Sequence, residues 1–111
     1  MNPQIKQKWV SALRSGEYQQ GRNYLRTDNG FCCLGVLCDL YIKENQLEWD
    51  LTNNGHNDYM FQDMVGCLPV SVKEWADLDN PHVNVGESTL VRLNDSGSTF
   101  EQIADVIEEQ L

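Results

Sequence analysis

Basic residues are scarce in this sequence: eight Lys and Arg stand against 17 Asp and Glu, giving a formal charge of −9. Nucleic-acid binding of the general kind needs clustered Lys and Arg to displace counterions from phosphates, and this balance argues against it. Long apolar runs are also missing. The longest, Phe31 to Ile42, is interrupted by Asp39 and is too short to span a bilayer. No charged and apolar leader ending in small residues opens the chain, so the expected location is the cytosol. A reducing compartment keeps thiols free, and the even count of four cysteines then carries no disulfide argument. Glycine-rich phosphate loops are absent, because Gly16 and Gly21 follow neither the dinucleotide nor the P-loop spacing. Repeats, linkers and low-complexity tracts are absent as well.

What is present is enough for one core. The 111 residues are 41% apolar and include three Trp, four Tyr and three Phe, which fits one ordered domain. Asn2 before Pro3 reads as an N-cap and first helical residue, and Ile5, Trp9, Ala12 and Leu13 recur at helical spacing until Gly16. A hairpin follows, with residues 23–26 extended, a turn at Asp28-Asn29-Gly30 and a return strand from Phe31. From Leu34 to about Glu44 the pattern becomes a helix apolar all round, hence buried. Residues 47–63 read as a second hairpin turning at Asn54-Gly55. Leu68-Pro69 opens a short helix facing Val72, Trp75 and Ala76 inward. His82 to Val85 is extended, Leu90 and Leu93 mark one or two helical turns, and residues 94–97 form a loop. Ser98 with Glu101 reads as a capping box before the stripe Phe100, Ile103, Ala104 and Ile107. The expected fold is α+β: a single small domain with a buried central helix, N- and C-terminal helices flanking it, and short antiparallel hairpins.

The cysteines lie mostly in "FCCLGVLCDLY", and their spacing decides against a metal. Structural zinc favours C-x-x-C knuckles that aim two sulfurs at one ion, and Cys32, Cys33, Cys38 and Cys67 form none, even with His56 and His82 as nitrogen donors. Adjacent cysteines point to different sides of a regular element. A nucleophilic Cys33 near a helix start would need a base such as His82, which the sequence does not place beside it. Buried small hydrophobes are the expected role. Gly35 supports packing, since it lets a neighbouring element approach closely at a helix cost of about 1 kcal/mol.

Charge is uneven along the chain. Residues 1–26 hold five basic residues against Glu17, a balance of +4, while residues 27–111 hold three basic and sixteen acidic ones, a balance of −13. Within the cationic part, "EYQQGRNYLR" groups Tyr18, Gln19, Gln20, Arg22, Tyr24 and Arg26 around a glycine. Strand alternation would put Arg22, Tyr24 and Arg26 on one face, supplying guanidiniums for phosphate and a ring for stacking. The plain alternative is an exposed hairpin edge of ordinary polar residues. The tail "SGSTFEQIADVIEEQL" imitates the opening helix of helix-turn-helix DNA readers, but no recognition helix follows and it carries no Lys or Arg.

The combination "LRSGEYQQG…LR…CCLGVLCDLY" with "LNDSGSTFEQIADVIEE" resembles a set of small, mostly uncharacterised phage and prophage proteins, over nearly the whole chain. The resemblance implies a short accessory protein that acts against host defences. Joined to the cationic segment, the expectation is a non-enzymatic protein, without cofactor or metal, that binds and sequesters a small anionic nucleotide-type immune signal. Its contacts would be Tyr18, Gln20, Arg22, Tyr24 and Arg26, with Arg14, Arg92 and Asn94 completing a pocket across a subunit boundary of a homo-oligomer. The alternative is an acidic inhibitor of a host defence protein, with the C-terminal portion as a nucleic-acid mimic.

Overall fold

The computed structural model describes residues 1–52 and 58–111. The expected Asn54-Gly55 turn and His56 lie outside the described residues. Helix α1 spans Pro3–Arg14, and Asn2 caps it by accepting from the Gln4 and Ile5 amides at 2.9 and 3.2 Å. Strands β1 (Arg26–Thr27) and β2 (Gly30–Phe31) make the first hairpin, and α2 follows directly over Cys33–Glu44. Strands β3 (Asp50–Leu51) and β4 (Asp58–Met60) pair antiparallel, then come α3 (Val70–Trp75), the β5 (Asn84–Val85) and β6 (Ser88–Thr89) ribbon, α4 (Leu90–Asp95) and α5 (Phe100–Gln110). The α+β single domain expected from the pattern is the one observed.

Helix α2 is the centre of the core because nearly every side of it is apolar. Cys33, Leu34, Val36, Leu37 and Cys38 have no exposed surface, and Ile42 retains only 4%. The amphipathic helices α1 and α5 bury Trp9, Leu13, Ile103 and Ile107 and pack against each other more extensively than any other pair. Trp9 keeps its indole satisfied in that interior by donating to the Cys33 carbonyl at 2.9 Å.

The four-stranded sheet has the order β2-β1-β4-β3, so β1 pairs on both sides. Arg26 stands directly opposite Phe31 on β2 and opposite Tyr59 on β4, and Tyr59 stands opposite Leu51 on β3. Directly opposed residues share a face, which lines up Phe31, Arg26, Tyr59 and Leu51 across the sheet. The free side of β2 is closed by residues 19–21, whose backbone bridges it in parallel: Phe31 N–H donates to the Gln19 carbonyl at 2.8 Å and Gly21 N–H to the Phe31 carbonyl at 2.7 Å.

Three local expectations are corrected. Residues 23–26 are not extended as a unit, because Asn23 takes φ of 73°, a left-handed conformation Asn tolerates, and the strand begins only at Arg26. Asn94 and Asp95 belong to α4 rather than to a loop. The C-terminal capping box uses Thr99 and Gln102, not Ser98 and Glu101. Both pairs satisfy the same motif, and the amphipathic stripe cannot choose between frames one residue apart.

Candidate functional site

Polar residues of the 18–31 region take part in three separate groups. The first is a buried hub. Asn94 has no exposed surface, and its Oδ1 accepts from the Cys33 amide at 3.2 Å and from Gln20 Nε2 at 2.9 Å. Its Nδ2 donates to the Gly21 carbonyl at 2.9 Å, and Gln20 Nε2 also reaches the Ser98 carbonyl at 2.8 Å. One side chain therefore ties the 20–21 segment, the start of α2 and α4 together. Gln20 and Asn94, expected as ligand contacts, are spent on this joint.

The second group surrounds Asp39 on α2, a carboxylate with 7% of its surface exposed. Tyr18 Oη donates to it at 2.6 Å, Trp49 Nε1 at 3.0 Å, and Lys43 Nζ lies 3.1 Å away one helical turn on. Burial pushes the Asp39 carboxyl up, but donations from Tyr18, Trp49 and Lys43 outweigh it and hold the group below the ordinary carboxylate range. Tyr18 is therefore a structural donor rather than a stacking ring for a base. Burial and its bond to Asp39 push the Tyr18 phenol from 10.0 up to about 12.

That shift has a measurable consequence. A folded-state value above the unfolded one contributes stability that is full below about pH 10 and is lost as pH rises toward about 12. Urea midpoints measured along that window should fall more steeply for the wild-type protein than for Tyr18→Phe. Parallel slopes would show that Tyr18 makes no such linkage.

The third group is a guanidinium among rings. Arg26 Cζ lies 4.3 Å from the Tyr59 ring centroid, 5.1 Å from Phe31 and 5.8 Å from Trp49. The cross-strand register produces this placement, since Phe31 and Tyr59 are its opposed neighbours. Arg26 is half-buried, and its side chain makes no hydrogen bond or ion pair among the described residues. Tyr59 is fixed in turn by donating its hydroxyl to Asp28 Oδ1 at 2.9 Å. A concavity of about 380 Å³ opens here, with Glu17, Gln19, Arg26, Asp28, Asn29 and Tyr59 on its wall.

The remaining expected contacts do not converge on this concavity. Arg14 is committed to the acidic face of α5, lying 3.6 Å from Glu101, 2.5 Å from Asp105 and 2.7 Å from Glu108. Its hydrogen bonds to Glu108 and Asp105 raise its pKa. Arg22, Tyr24 and Arg92 are exposed and do not line the Arg26 concavity. The common face expected for Arg22, Tyr24 and Arg26 does not form, because the left-handed Asn23 breaks the alternation. A larger hollow of about 490 Å³ lies between α1 and α5, but its cations are taken, Lys6 by the Glu108 carbonyl at 3.1 Å and Arg14 by carboxylates. Another, of about 590 Å³, offers Lys8 beside Gln4, Gln7, Ser11 and Leu40, with no ring to hold the ammonium.

The thiols stand apart from all of this. Cys32 caps α2, its Sγ accepting from the Gly35 amide at 3.4 Å, and burial pushes its thiol up to about 11. Burial also holds Cys33 and Cys38 well above the ordinary thiol value of 9.0. A buried protonated thiol is a poor nucleophile and packs as a small hydrophobe. Among the described residues no group of three or more His, Cys, Asp and Glu is placed to hold a metal ion, and no helix is long and apolar enough to cross a membrane.

Sequence reasoning singled out Arg26 but missed its partners. Tyr59 and Trp49 reach it only through the β1–β4 pairing and the return of the chain after α2, which no local signal announces.

The family described as "Domain of unknown function (DUF8296)" matches the chain over residues 1–111, and the chain belongs to it. No curated protein and no solved structure matches.

Proposed function

We propose that this protein is a non-enzymatic binder of a small anionic ligand of the nucleotide class, seated on Arg26. The carrying observation is the half-buried guanidinium, held in place by Tyr59, Phe31 and Trp49, whose N–H donors have no partner among the described residues. Ring packing fixes the fork before a ligand arrives, which lowers the entropy lost on binding a phosphate bidentately. The concavity of about 380 Å³ lies at the small end of ligand-site volumes. The buried, protonated thiols favour affinity without turnover. In the phage setting that the sequence resemblance implies, such binding amounts to withdrawing an immune signal from solution. A homo-oligomer that places a second copy over the open side would deepen the seat.

Calorimetric titration of the full chain with a panel of cyclic nucleotides tests the reading. We expect saturable binding that Arg26→Gln weakens by about 10- to 100-fold, the worth of one or two charge-assisted hydrogen bonds. Arg26→Lys should lose most of the affinity too, since an ammonium lacks the planar fork. A flat response across the panel, or binding indifferent to Arg26, contradicts it.

A second reading rests on a different observation. Glu74, Asp77, Asp79 and Glu87 are all exposed, on α3 and the turns that follow it. They would suit an inhibitor that meets a basic host protein, and this reading predicts a partner retained at low salt and released at high salt.

A further inference from the structure

The wall of the Arg26 seat carries more negative than positive charge. Besides Arg26, its charged side chains are Glu17 and Asp28, both exposed. Among the described residues the Glu17 side chain makes no hydrogen bond or ion pair, and Asp28 accepts only the Tyr59 hydroxyl, at 2.9 Å. Arg26 offers donors and no acceptor, while the two carboxylates offer acceptors and no donor. A ligand matched to this wall presents one anionic group to the guanidinium and hydroxyl or amino hydrogens to the carboxylates. Each further negative charge on it meets Glu17 and Asp28 and is repelled.

We propose that the Arg26 seat selects a singly charged phosphodiester that also carries hydrogen-bond donors, such as a cyclic nucleoside monophosphate, and rejects polyphosphates through Glu17 and Asp28. The inference rests on the anion-binding reading of Arg26 and sharpens it to a ligand class. Selectivity here comes from a repulsive element built into the wall as much as from the attractive one. Both carboxylates lie on the surface, so the discrimination is screened by salt and is greatest at low ionic strength.

The test is a pair of titrations on the full chain at low salt, without divalent cations, using a 3′,5′-cyclic nucleoside monophosphate and the triphosphate of the same nucleoside. The expected result is that the cyclic monophosphate binds about tenfold tighter or more, the ratio shrinking as salt is added. In the double variant Glu17→Gln, Asp28→Asn the ratio should collapse, through a gain for the triphosphate and a loss for the monophosphate. The carboxamide that replaces the Asp28 carboxylate can still accept from Tyr59, so the variant keeps the ring that holds Arg26. A triphosphate that binds as tightly as the monophosphate, or a ratio unchanged in the double variant, overturns the inference. If both ligands still depend on Arg26, the anion seat itself survives that result. Absence of binding by either ligand, or binding that Arg26→Gln does not affect, overturns the seat and the selectivity together.

Discussion

Gly35→Ala should come close to abolishing folding. A Cβ at Gly35 would fall inside the Leu25 carbonyl group, overlapping backbone rather than the end of a movable side chain. Neither side of the contact has room to retreat. Leu25 is held by its amide, which donates to the Val65 carbonyl at 2.6 Å, and by the Cys32 amide, which donates to its carbonyl at 3.2 Å. Gly35 sits in the first turn of α2, whose neighbours Cys33, Leu34 and Val36 are completely buried. The better helix propensity of Ala returns only about 1 kcal/mol. Backbone displacement of this kind belongs with the exceptional substitutions that cost ~4 kcal/mol or more. Against a typical total of about 5–15 kcal/mol, that leaves little native protein. Gly66→Ala is the control, because the nearest atom to its Cβ is the Asn23 carbonyl oxygen at 3.7 Å, an ordinary contact. Urea denaturation followed by far-UV circular dichroism distinguishes the two. A Gly35→Ala midpoint close to that of Gly66→Ala would mean that the 25–35 crossing is looser than described.

Removing the Asn94 carboxamide, as in Asn94→Ala, should also cause a large loss. It leaves the buried Cys33 amide and the Gly21 carbonyl without their partners and removes one of the two acceptors of Gln20. Each orphaned buried group costs about 1–3 kcal/mol, so a total of ~3 kcal/mol is expected. For a domain of this size that lowers the melting midpoint by roughly 10–20 °C. Asn94→Asp should be worse despite its shape, since it cannot donate to Gly21 and buries a charge beside Asp95, whose Oδ1 lies 3.3 Å from Asn94 Nδ2. Calorimetric melting of the three proteins gives the order. If Asn94→Asp melts with the wild type, the hub does not carry the energy assigned to it.

These two residues also show what the sequence disclosed and what it withheld. Helix periodicity, the Asn2 cap and the all-round apolar character of residues 33–44 are local signals, and they located the helices to within a residue or two. Gly35 was readable because a glycine among small thiols in a buried helix has little other purpose than close approach. Asn94 was not, because its partners lie 61 to 74 residues away in sequence and its neighbours read as a loop. Arg14 shows the same limit from the other side. A lone arginine at a helix end looks available until α5 brings three carboxylates to it. Lys6, Arg14, Tyr18 and Gln20 of the cationic N-terminal segment are thus internal wiring, while Lys8, Arg22 and Tyr24 stand exposed. Arg26 differs from all of these, because its guanidinium is held by rings from β2, from β4 and from the approach to β3.

The most direct test of that difference is the side-chain resonance of Arg26 itself. Nitrogen–proton spectra of the arginine Nε–H groups, recorded while a cyclic nucleoside monophosphate is added, should show Arg26 shifting saturably while Arg14, occupied by α5, stays in place. An Arg26 signal that does not move, or movement confined to Arg22 and Arg92, would contradict the account.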